Sequence, residues 1–238
     1  MAAIRAEAHY GRVMSCYAER PPHMMAVLAD AVARAPDHVA LVDGARRMTY
    51  AALDAESARI AGNLAARGIE QGDRIAMLIG NSLEFFTVLL ACARMGAIAV
   101  PMGTRLRKPE IAFICSQSGA RMLIHEAGLA AELPDAADAP DLEARIAVGS
   151  AEFEALRREG AAAPEVVIGE EDTFCILYTS GTTGRPKGAM LTHLGMVHTC
   201  IHWRERLSLR EGAEVALLPI PITHVSGLGG MWAPVLFM

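Results

Sequence analysis

A loop in the second half of the chain combines the residue types that bind anions. Residues 178–188 read YTSGTTGRPKG. The hydroxyl and glycine residues at its centre are Thr179, Ser180, Gly181, Thr182, Thr183 and Gly184. Glycines allow close approach of the backbone, and consecutive amides with hydroxyl donors can form a concave anion site. Because Lys187 adds a positive charge, we predict that this loop binds a polyphosphate.

The lysine stands out against the composition of the chain. Of the 22 Lys and Arg residues only Lys108 and Lys187 are lysines, so arginine supplies nearly all of the positive charge. An ammonium is a compact point charge, whereas a guanidinium is a planar fork. The lysine in the loop therefore favours phosphate binding over chance. A flexible Gly/Ser linker is the alternative interpretation of this composition.

Two commoner nucleotide-binding motifs do not fit the loop. The phosphate loop of nucleoside triphosphatases has the form Gly-x4-Gly-Lys-Ser/Thr and opens a helix. Here Lys187 lies between Pro186 and Gly188, and the run GAMLTH that follows predicts a strand. The dinucleotide fingerprint is also absent, because the stretch GDRIAMLIGNS has only Gly80 at its turn.

The composition is that of a globular protein with one large domain or two small ones. The chain has 238 residues, is 53% hydrophobic and carries a net charge of −5. These values exclude general disorder, and without a basic run they argue against a nucleic-acid surface. The first twenty residues carry scattered charges and predict no signal peptide.

The cysteines indicate the cellular compartment. They are Cys16, Cys92, Cys115, Cys175 and Cys200. Their scattered spacing matches no metal site, so no metal ligand is predicted. We expect reduced, buried thiols in a cytoplasmic protein.

The elements that position the loop alternate between strand and helix patterns. Strands are predicted in the runs around the Asp43-Gly44 turn and at 75–79, 97–101, 121–125 and 173–178. Helices lie between them, with predicted N-caps at Thr49, Asn81 and Thr192. This alternation predicts an α/β fold, a layered sandwich with a mostly parallel sheet covered on both faces. The loop then follows the carboxyl end of a strand, where open α/β sheets bind ligands.

Two segments depart from this alternation. Residues 134–171 are acidic and alanine-rich, with large apolar side chains only on a short helix near Phe153 and Leu156, and they predict a surface connection. Residues 215–238 contain no charged side chain and are long enough to span a bilayer. Their prolines and glycines argue against a spanning helix, so we expect a buried sheet core and no transmembrane segment.

The stretch YTSGTTGRPKGAMLTH resembles the signature loop of the adenylate-forming superfamily, which includes acyl-CoA synthetases, aryl-CoA ligases, luciferases and peptide-synthetase adenylation domains. Residues 48–124, from MTYAALDAES to GARMLI, resemble the amino-terminal half of these enzymes throughout. The threonine at Thr182 looks more like the acyl-CoA synthetase branch than the peptide-synthetase branch, where serine is frequent.

The resemblance implies a two-step reaction. A carboxylate attacks the α-phosphorus of ATP, with Mg²⁺, to give an acyl-adenylate and pyrophosphate, and the thiol of coenzyme A then displaces AMP. The resemblance gives the residues from Thr179 to Gly184, together with Lys187, the task of holding the β- and γ-phosphates. Lys187 is thereby expected to be catalytic as well as nucleotide-binding.

A second stretch, PITHVSGLGG, is similar to a family segment of the form Pro-x-aromatic-His-x-x-Gly. Pro221, His224 and Gly227 match it, whereas Thr223 replaces the aromatic residue. The resemblance places His224 near the acyl and pantetheine channel, as a catalytic residue. A core histidine bonded to a backbone carbonyl is the alternative. His193 and His198 are interpreted as capping or surface residues.

The resemblance also implies how much of such an enzyme the chain holds. Residues 1–238 correspond to part of the large AMP-binding domain, without the small carboxy-terminal domain. We therefore expect the chain alone to be inactive and prone to association. A non-catalytic nucleotide-binding module, or one half of a split enzyme, is the alternative. The expected partners are a small carboxylic acid, ATP and coenzyme A.

Overall fold

A computed structural model describes residues 2–179, 186–210 and 212–236. Their strands are β1 (Ile4–His9), β2 (Arg12–Tyr17), β3 (Val39–Asp43), β4 (Arg46–Thr49), β5 (Arg74–Leu78), β6 (Ile98–Pro101), β7 (Ala120–His125), β8 (Ala144–Ala147), β9 (Thr173–Thr179) and β10 (Lys187–Thr192). The longer helices are α1 (Met24–Arg34), α2 (Tyr50–Ala65), α3 (Leu83–Arg94), α4 (Lys108–Ser118), α5 (Ala151–Arg157) and α6 (His193–Leu207). Short helical turns follow at residues 225–236.

Six strands of the described residues form one sheet in the order β10-β9-β6-β5-β7-β8. The neighbours from β9 to β8 are all parallel, and β10 alone runs antiparallel. Parallel strands need crossover connections, and helices provide most of them here. This confirms the predicted α/β fold with a mostly parallel sheet.

The side chains of β5 show that both faces of the sheet are covered. Ile75 and Met77 belong to a large core cluster shared with α1, α2, α3, α5 and α6. Ala76 and Leu78 belong to a second cluster, in which α4 covers the opposite face. All four side chains are fully buried. Successive side chains of a strand point to opposite faces, so β5 is an unbroken apolar run because each face meets helices.

The helix starts follow the predicted caps except at α3. Thr49 and Thr192 cap α2 and α6 through their side-chain oxygens, as predicted. The cap of α3 is Ser82, whose Oγ accepts a hydrogen bond from the Phe85 N–H at 3.3 Å. The prediction that Asn81 caps this helix is wrong, because its side chain binds a distant part of the backbone.

Part of the segment 134–171 belongs to the core. β8 adds an edge strand parallel to β7, with Ile146 buried. α5 packs on α2 and buries Phe153 and Leu156 completely. The prediction of a surface connection is therefore wrong for these two elements. The four residues ARIA of β8 contain one large apolar side chain, which is too weak a pattern to predict a strand.

The uncharged stretch near the end of the chain does not form a buried sheet. No strand lies in the described residues 212–224, where Val215 and Leu217 are 96% and 79% exposed. The helical turns at 225–236 pack on α6, and the Trp232 ring lies 5.2 Å from that of Phe86. The expected sheet core is thus wrong. No helix within the described ranges is long and apolar enough to cross a membrane.

The first residues of the chain form an antiparallel hairpin of β1 and β2, which the sequence did not predict. The Arg20 guanidinium donates to the Glu7 carboxylate at 2.8 and 2.7 Å and to the Glu170 carboxylate at 2.7 and 2.9 Å. Its side chain is only 5% exposed. Bidentate charge-assisted pairs fix geometry, so Arg20 holds this hairpin against the segment that enters β9.

Candidate functional site

The predicted phosphate loop joins β9 to β10 as a hairpin. Thr179 ends β9 and pairs with Lys187, which begins β10, so the two ends of the loop are adjacent. β9 runs parallel to β6, which places both residues at the carboxyl edge of the parallel strands. The other predicted loop residues lie outside the described residues. They are Ser180, Gly181, Thr182, Thr183 and Gly184.

The Lys187 side chain is exposed and has no ion-pair partner among the residues that the structure describes. Lys108 differs, because its Nζ lies 2.7 Å from Asp135 Oδ2. A strongly hydrated ammonium without a carboxylate partner keeps its charge available for an anionic ligand. The geometry of Lys187 is therefore compatible with phosphate binding.

The side chains of Ile176 and Tyr178 leave no room for a side chain at Gly188, which follows Lys187. A Cβ on Gly188 would lie 2.8 Å from Ile176 Cγ2 and 3.1 Å from Tyr178 Cζ. The tyrosine ring therefore covers Gly188 on the pleated surface of the hairpin. Burial raises the pKa of Tyr178, which agrees with a packing role for its ring.

Polar groups from neighbouring strands meet the same edge of the sheet. Gly80 and Asn81 follow β5, Gly103 follows β6 and Glu126 follows β7. The Gly80 N–H donates to Glu126 Oε1 at 2.8 Å. A Cβ on Gly80 would lie 3.0 Å from the same oxygen, so the glycine permits the close approach.

The second predicted segment folds into a tight turn followed by a helical turn. The His224 N–H donates to the Pro221 carbonyl at 3.1 Å, and the His224 carbonyl accepts from the Gly227 and Leu228 N–H groups at 3.0 Å. A Cβ on Gly227 would lie 2.6 Å from the Pro221 oxygen, which requires glycine there. The His224 side chain is exposed and lacks a partner among the described residues. This differs from the alternative of a core histidine bonded to a carbonyl.

Thr223 connects this turn to the sheet edge. It is 7% exposed, and its Oγ1 has no partner within the described part of the chain. A Cβ on Gly103 would lie 3.9 Å from that oxygen. The structure thus brings the turn that carries His224 to the end of β6, next to β9. No hydrogen bond between described residues joins His224 to Lys187.

Asn81 is the site residue whose role the sequence did not reveal. Its side chain binds the backbone of residues 218–222, immediately before the turn with His224. The sequence shows only that Asn81 directly follows an apolar strand. That position fits a helix N-cap equally well, so it did not indicate a contact with residues 218–222.

The prediction that His193 and His198 are capping or surface residues holds only in part. His193 is not at the surface, but it does bind a helix terminus, the first N–H group of α1, and His198 is half-buried. His193 is 2% exposed, its Nδ1 accepts from the Met24 N–H at 3.2 Å, and burial lowers its pKa to about 4. Burial also lowers the pKa of His198. Because β10 runs antiparallel to β9, His193 at its end lies at the sheet edge opposite Lys187 and outside the candidate site.

Comparison with known proteins agrees with this arrangement. Residues 28–237 match the family model for AMP-binding enzymes. The long-chain-fatty-acid–CoA ligase FadD13 of Mycobacterium tuberculosis is 40% identical over 186 residues, covering 76% of this chain and 37% of that ligase. A feruloyl-CoA synthase of an Amycolatopsis species is 37% identical over 201 residues, covering 84% of this chain and 39% of the synthase.

Solved structures share the fold. The inhibitor-bound N-terminal domain of FACL13 from Mycobacterium tuberculosis gives a TM-score of 0.77 at 35% identity, over 91% of this chain and 55% of that one. The o-succinylbenzoate CoA synthetase MenE from Bacillus subtilis, in complex with AMP, gives 0.76 at 26% identity, over 92% and 54%. The chain spans 37–41% of the length of the curated relatives it matches. Since the family model covers most of its residues, the chain belongs to the AMP-binding enzyme family.

Proposed function

We propose that this chain is part of an ATP-dependent acid–thiol ligase, an acyl-CoA synthetase. The observation that carries the proposal is Lys187, which is exposed, has no ion-pair partner among the described residues, and begins β10 on the carboxyl edge of a parallel sheet. Relatives named as CoA ligases for long-chain fatty acids and 2-succinylbenzoate, and as a feruloyl-CoA synthase, support the reaction class.

The reaction has two displacements. A carboxylate oxygen of the acid attacks the α-phosphorus of ATP, the α–β phosphoanhydride bond breaks, and pyrophosphate leaves with its electron pair. The coenzyme A sulfur then attacks the acyl carbon of the adenylate, and AMP leaves as the thioester forms. In both steps charge moves onto oxygens, so positioning and electrostatic stabilisation supply most of the catalysis.

Lys187 and the loop from Thr179 to Gly184 would hold the β- and γ-phosphates. The ammonium would neutralise charge that grows on the pyrophosphate leaving group, and amides and hydroxyls of the loop would orient it. Mg²⁺ would enter with the phosphates of ATP, and we assign no residue of the chain to it. His224 would line the path of the acid and coenzyme A, since its turn reaches the end of β6.

The five cysteines are all buried free thiols, as expected from their spacing. Burial raises the pKa of Cys92 to about 12 and that of Cys115 to about 11, so neither forms a thiolate near neutral pH. We include a cytoplasmic location in the proposal, because reduced thiols are the rule there.

The two lysines of the chain give a matched test of the phosphate site. In the whole protein, Lys187→Ala should lower ATP–pyrophosphate exchange by about 10²–10³-fold, the usual cost of removing one donor to a developing oxyanion. Lys108→Ala should leave exchange unchanged, because the ammonium of Lys108, the first residue of α4, is already paired with Asp135. Equal exchange in the two variants would refute the assignment.

The same proteins separate the ligase from a non-catalytic nucleotide-binding module. Such a module would bind ATP, and lose binding with Lys187→Ala, but would give no exchange with any acid in the wild-type protein. Titration calorimetry with Mg-ATP measures the binding. Acid-dependent exchange by the wild type supports the ligase.

A further inference from the structure

We propose that Asn81 is a positioning residue that clamps the backbone of residues 218–222 and thereby places Thr223 and His224 at the sheet edge. The existence of the clamp follows from contacts alone. Its catalytic consequence rests on the function proposed above, so the experiments test the two separately.

The Asn81 side chain uses its whole amide for this contact. Its Nδ2 donates to the Leu218 carbonyl at 3.1 Å and to the Ile220 carbonyl at 2.9 Å. Its Oδ1 accepts from the Ile222 N–H at 2.9 Å. The three partners alternate along the chain, so one side chain pairs with the backbone as a neighbouring strand would. Only an amide offers two donors and an acceptor in this geometry.

Asn81 is itself held from both sides. The preceding residue, Gly80, donates its N–H to Glu126 Oε1 at 2.8 Å, which ties it to the end of β7. The following residue, Ser82, caps α3. The backbone of Asn81 is therefore fixed between the central strand β5 and a buried helix, and it provides a rigid support at the sheet edge.

Apart from the contacts of Asn81, the clamped segment is held by the Ile222 side chain, which is buried in the main core cluster, and by Leu218, which packs partly against that cluster. The stretch that leads into it has less support. No strand lies in the described residues 212–224, and Val215 and Leu217 are exposed. His224 follows the last clamped residue by two positions. Because a displacement of about 1 Å at a reacting group can cost on the order of a hundredfold in rate, the contacts of Asn81 would control how well this turn meets the substrates.

Asn63 provides a matched control for the clamp. Its Nδ2 also donates to two backbone carbonyls, those of Leu156 and Arg158, at 2.9 and 3.0 Å. Those carbonyls belong to the end of α5 and the residue after it, in a different part of the molecule. A variant of Asn63 therefore shows the effect of losing a bridging amide elsewhere in the molecule, and a variant of Asn81 shows the effect of losing this one.

Hydrogen–deuterium exchange of the 238-residue chain tests the clamp without any activity. Asn81→Ala should speed amide exchange about tenfold in peptides covering residues 217–224, because the Ile222 N–H loses its acceptor. Asn63→Ala should leave these peptides unchanged. Asn81→Asp keeps an acceptor for the Ile222 N–H but turns a carboxylate oxygen towards the Leu218 and Ile220 carbonyls in place of the two donors. The repulsion should also speed exchange in these peptides, and this variant covers the case in which Asn81→Ala fails to fold. Wild-type exchange in this region in both Asn81 variants would overturn the proposal.

Kinetics of the whole protein test the consequence. Asn81→Asp should raise the KM for the acid or coenzyme A about tenfold while the KM for ATP in pyrophosphate exchange stays within twofold. If Asn81→Asp lowers the melting temperature but changes the KM values for the acid, coenzyme A and ATP alike, Asn81 has only a structural role. That result would overturn the positioning role. If the wild type shows no ATP–pyrophosphate exchange at all, the proposed function fails. The hydrogen–deuterium exchange measurement still decides whether the clamp exists.

Discussion

His224 is exposed and makes no side-chain hydrogen bond with the described residues, so its side chain contributes little to folding. His224→Ala should change the free energy of unfolding by less than about 0.5 kcal/mol, as is usual for surface sites. The same substitution should raise the KM for the acid or coenzyme A in the whole protein. Urea denaturation and steady-state kinetics measure the two effects.

His38 gives the control for this residue. It is also exposed, but it precedes β3, which is not a strand of the six-stranded sheet that carries Lys187. His38→Ala should alter neither stability nor kinetics. A large loss of stability in His224→Ala, with unchanged kinetics, would show that His224 is a structural residue after all.

At the scale of single residues, the sequence predicted motifs better than contacts. The loop with Lys187 could be identified because its residue types are adjacent in the chain. Asn81 could not, because its partners lie 137–141 positions further along, and a local pattern cannot separate a helix cap from a distant contact. The exposure of His224, which decides between its two interpretations, also depends on tertiary packing.

At the scale of elements, the amino terminus of α1 depends on two neutral histidines. The Nδ1 atoms of His23 and His193 accept from the N–H groups of Ala26 and Met24, at 3.1 and 3.2 Å. Burial lowers the pKa of His23, and burial with the nearby His23 lowers that of His193 to about 4, opposed by Asp172. A protonated imidazole nitrogen cannot accept these bonds.

These pKa shifts give stability a defined pH dependence. The unfolded chain takes up a proton at His193 near pH 6.5, whereas the folded chain does so only near pH 4. The unfolded state therefore binds more protons in this window, and the free energy of unfolding should fall as the pH drops through it, by up to about 3 kcal/mol from His193. Urea denaturation at pH 7.5 and pH 4.5 measures the fall.

His193→Asn isolates the contribution of this residue. The asparagine offers an oxygen acceptor to the helix but binds no proton, so the fall in stability between the two pH values should be smaller by most of that amount. An equal fall in wild type and variant would show that His193 is not the responsible group.

The elements themselves were predictable where their pattern was strong. β5, β6, β7 and β9 are apolar runs between helix patterns, and their parallel arrangement follows from being buried on both faces. β8 was missed because Ile146 is its one large apolar side chain, which is too weak a pattern to predict a strand. The β1–β2 hairpin was missed because exposed residues of mixed character fill most of it.

At the scale of the whole molecule, the stretch around Val215 and Leu217 leaves apolar side chains 96% and 79% exposed. Grouped apolar exposure favours association, so we expect the 238-residue chain to self-associate at micromolar concentration. The double substitution Val215→Glu and Leu217→Lys should shift it towards monomer, as measured by size-exclusion chromatography with light scattering.

Val167 is the control for this prediction, because it is 89% exposed in a different segment. Val167→Glu should leave the association unchanged. If it reduces association as much as the double substitution, added charge in general is responsible, and the stretch around Val215 is not the contact surface.

The scarcity of lysine has a practical consequence for the candidate site. The chain has two lysyl peptide bonds, Lys108–Pro109 in the first turn of α4 and Lys187–Gly188 at the start of β10. The accessible bond is the one at the exposed start of β10. A lysine-specific protease would divide the chain into residues 1–187 and 188–238, with the phosphate loop on one fragment and His224 on the other. The residue proposed to hold the nucleotide is therefore also the point at which a single cleavage separates the two halves of the site.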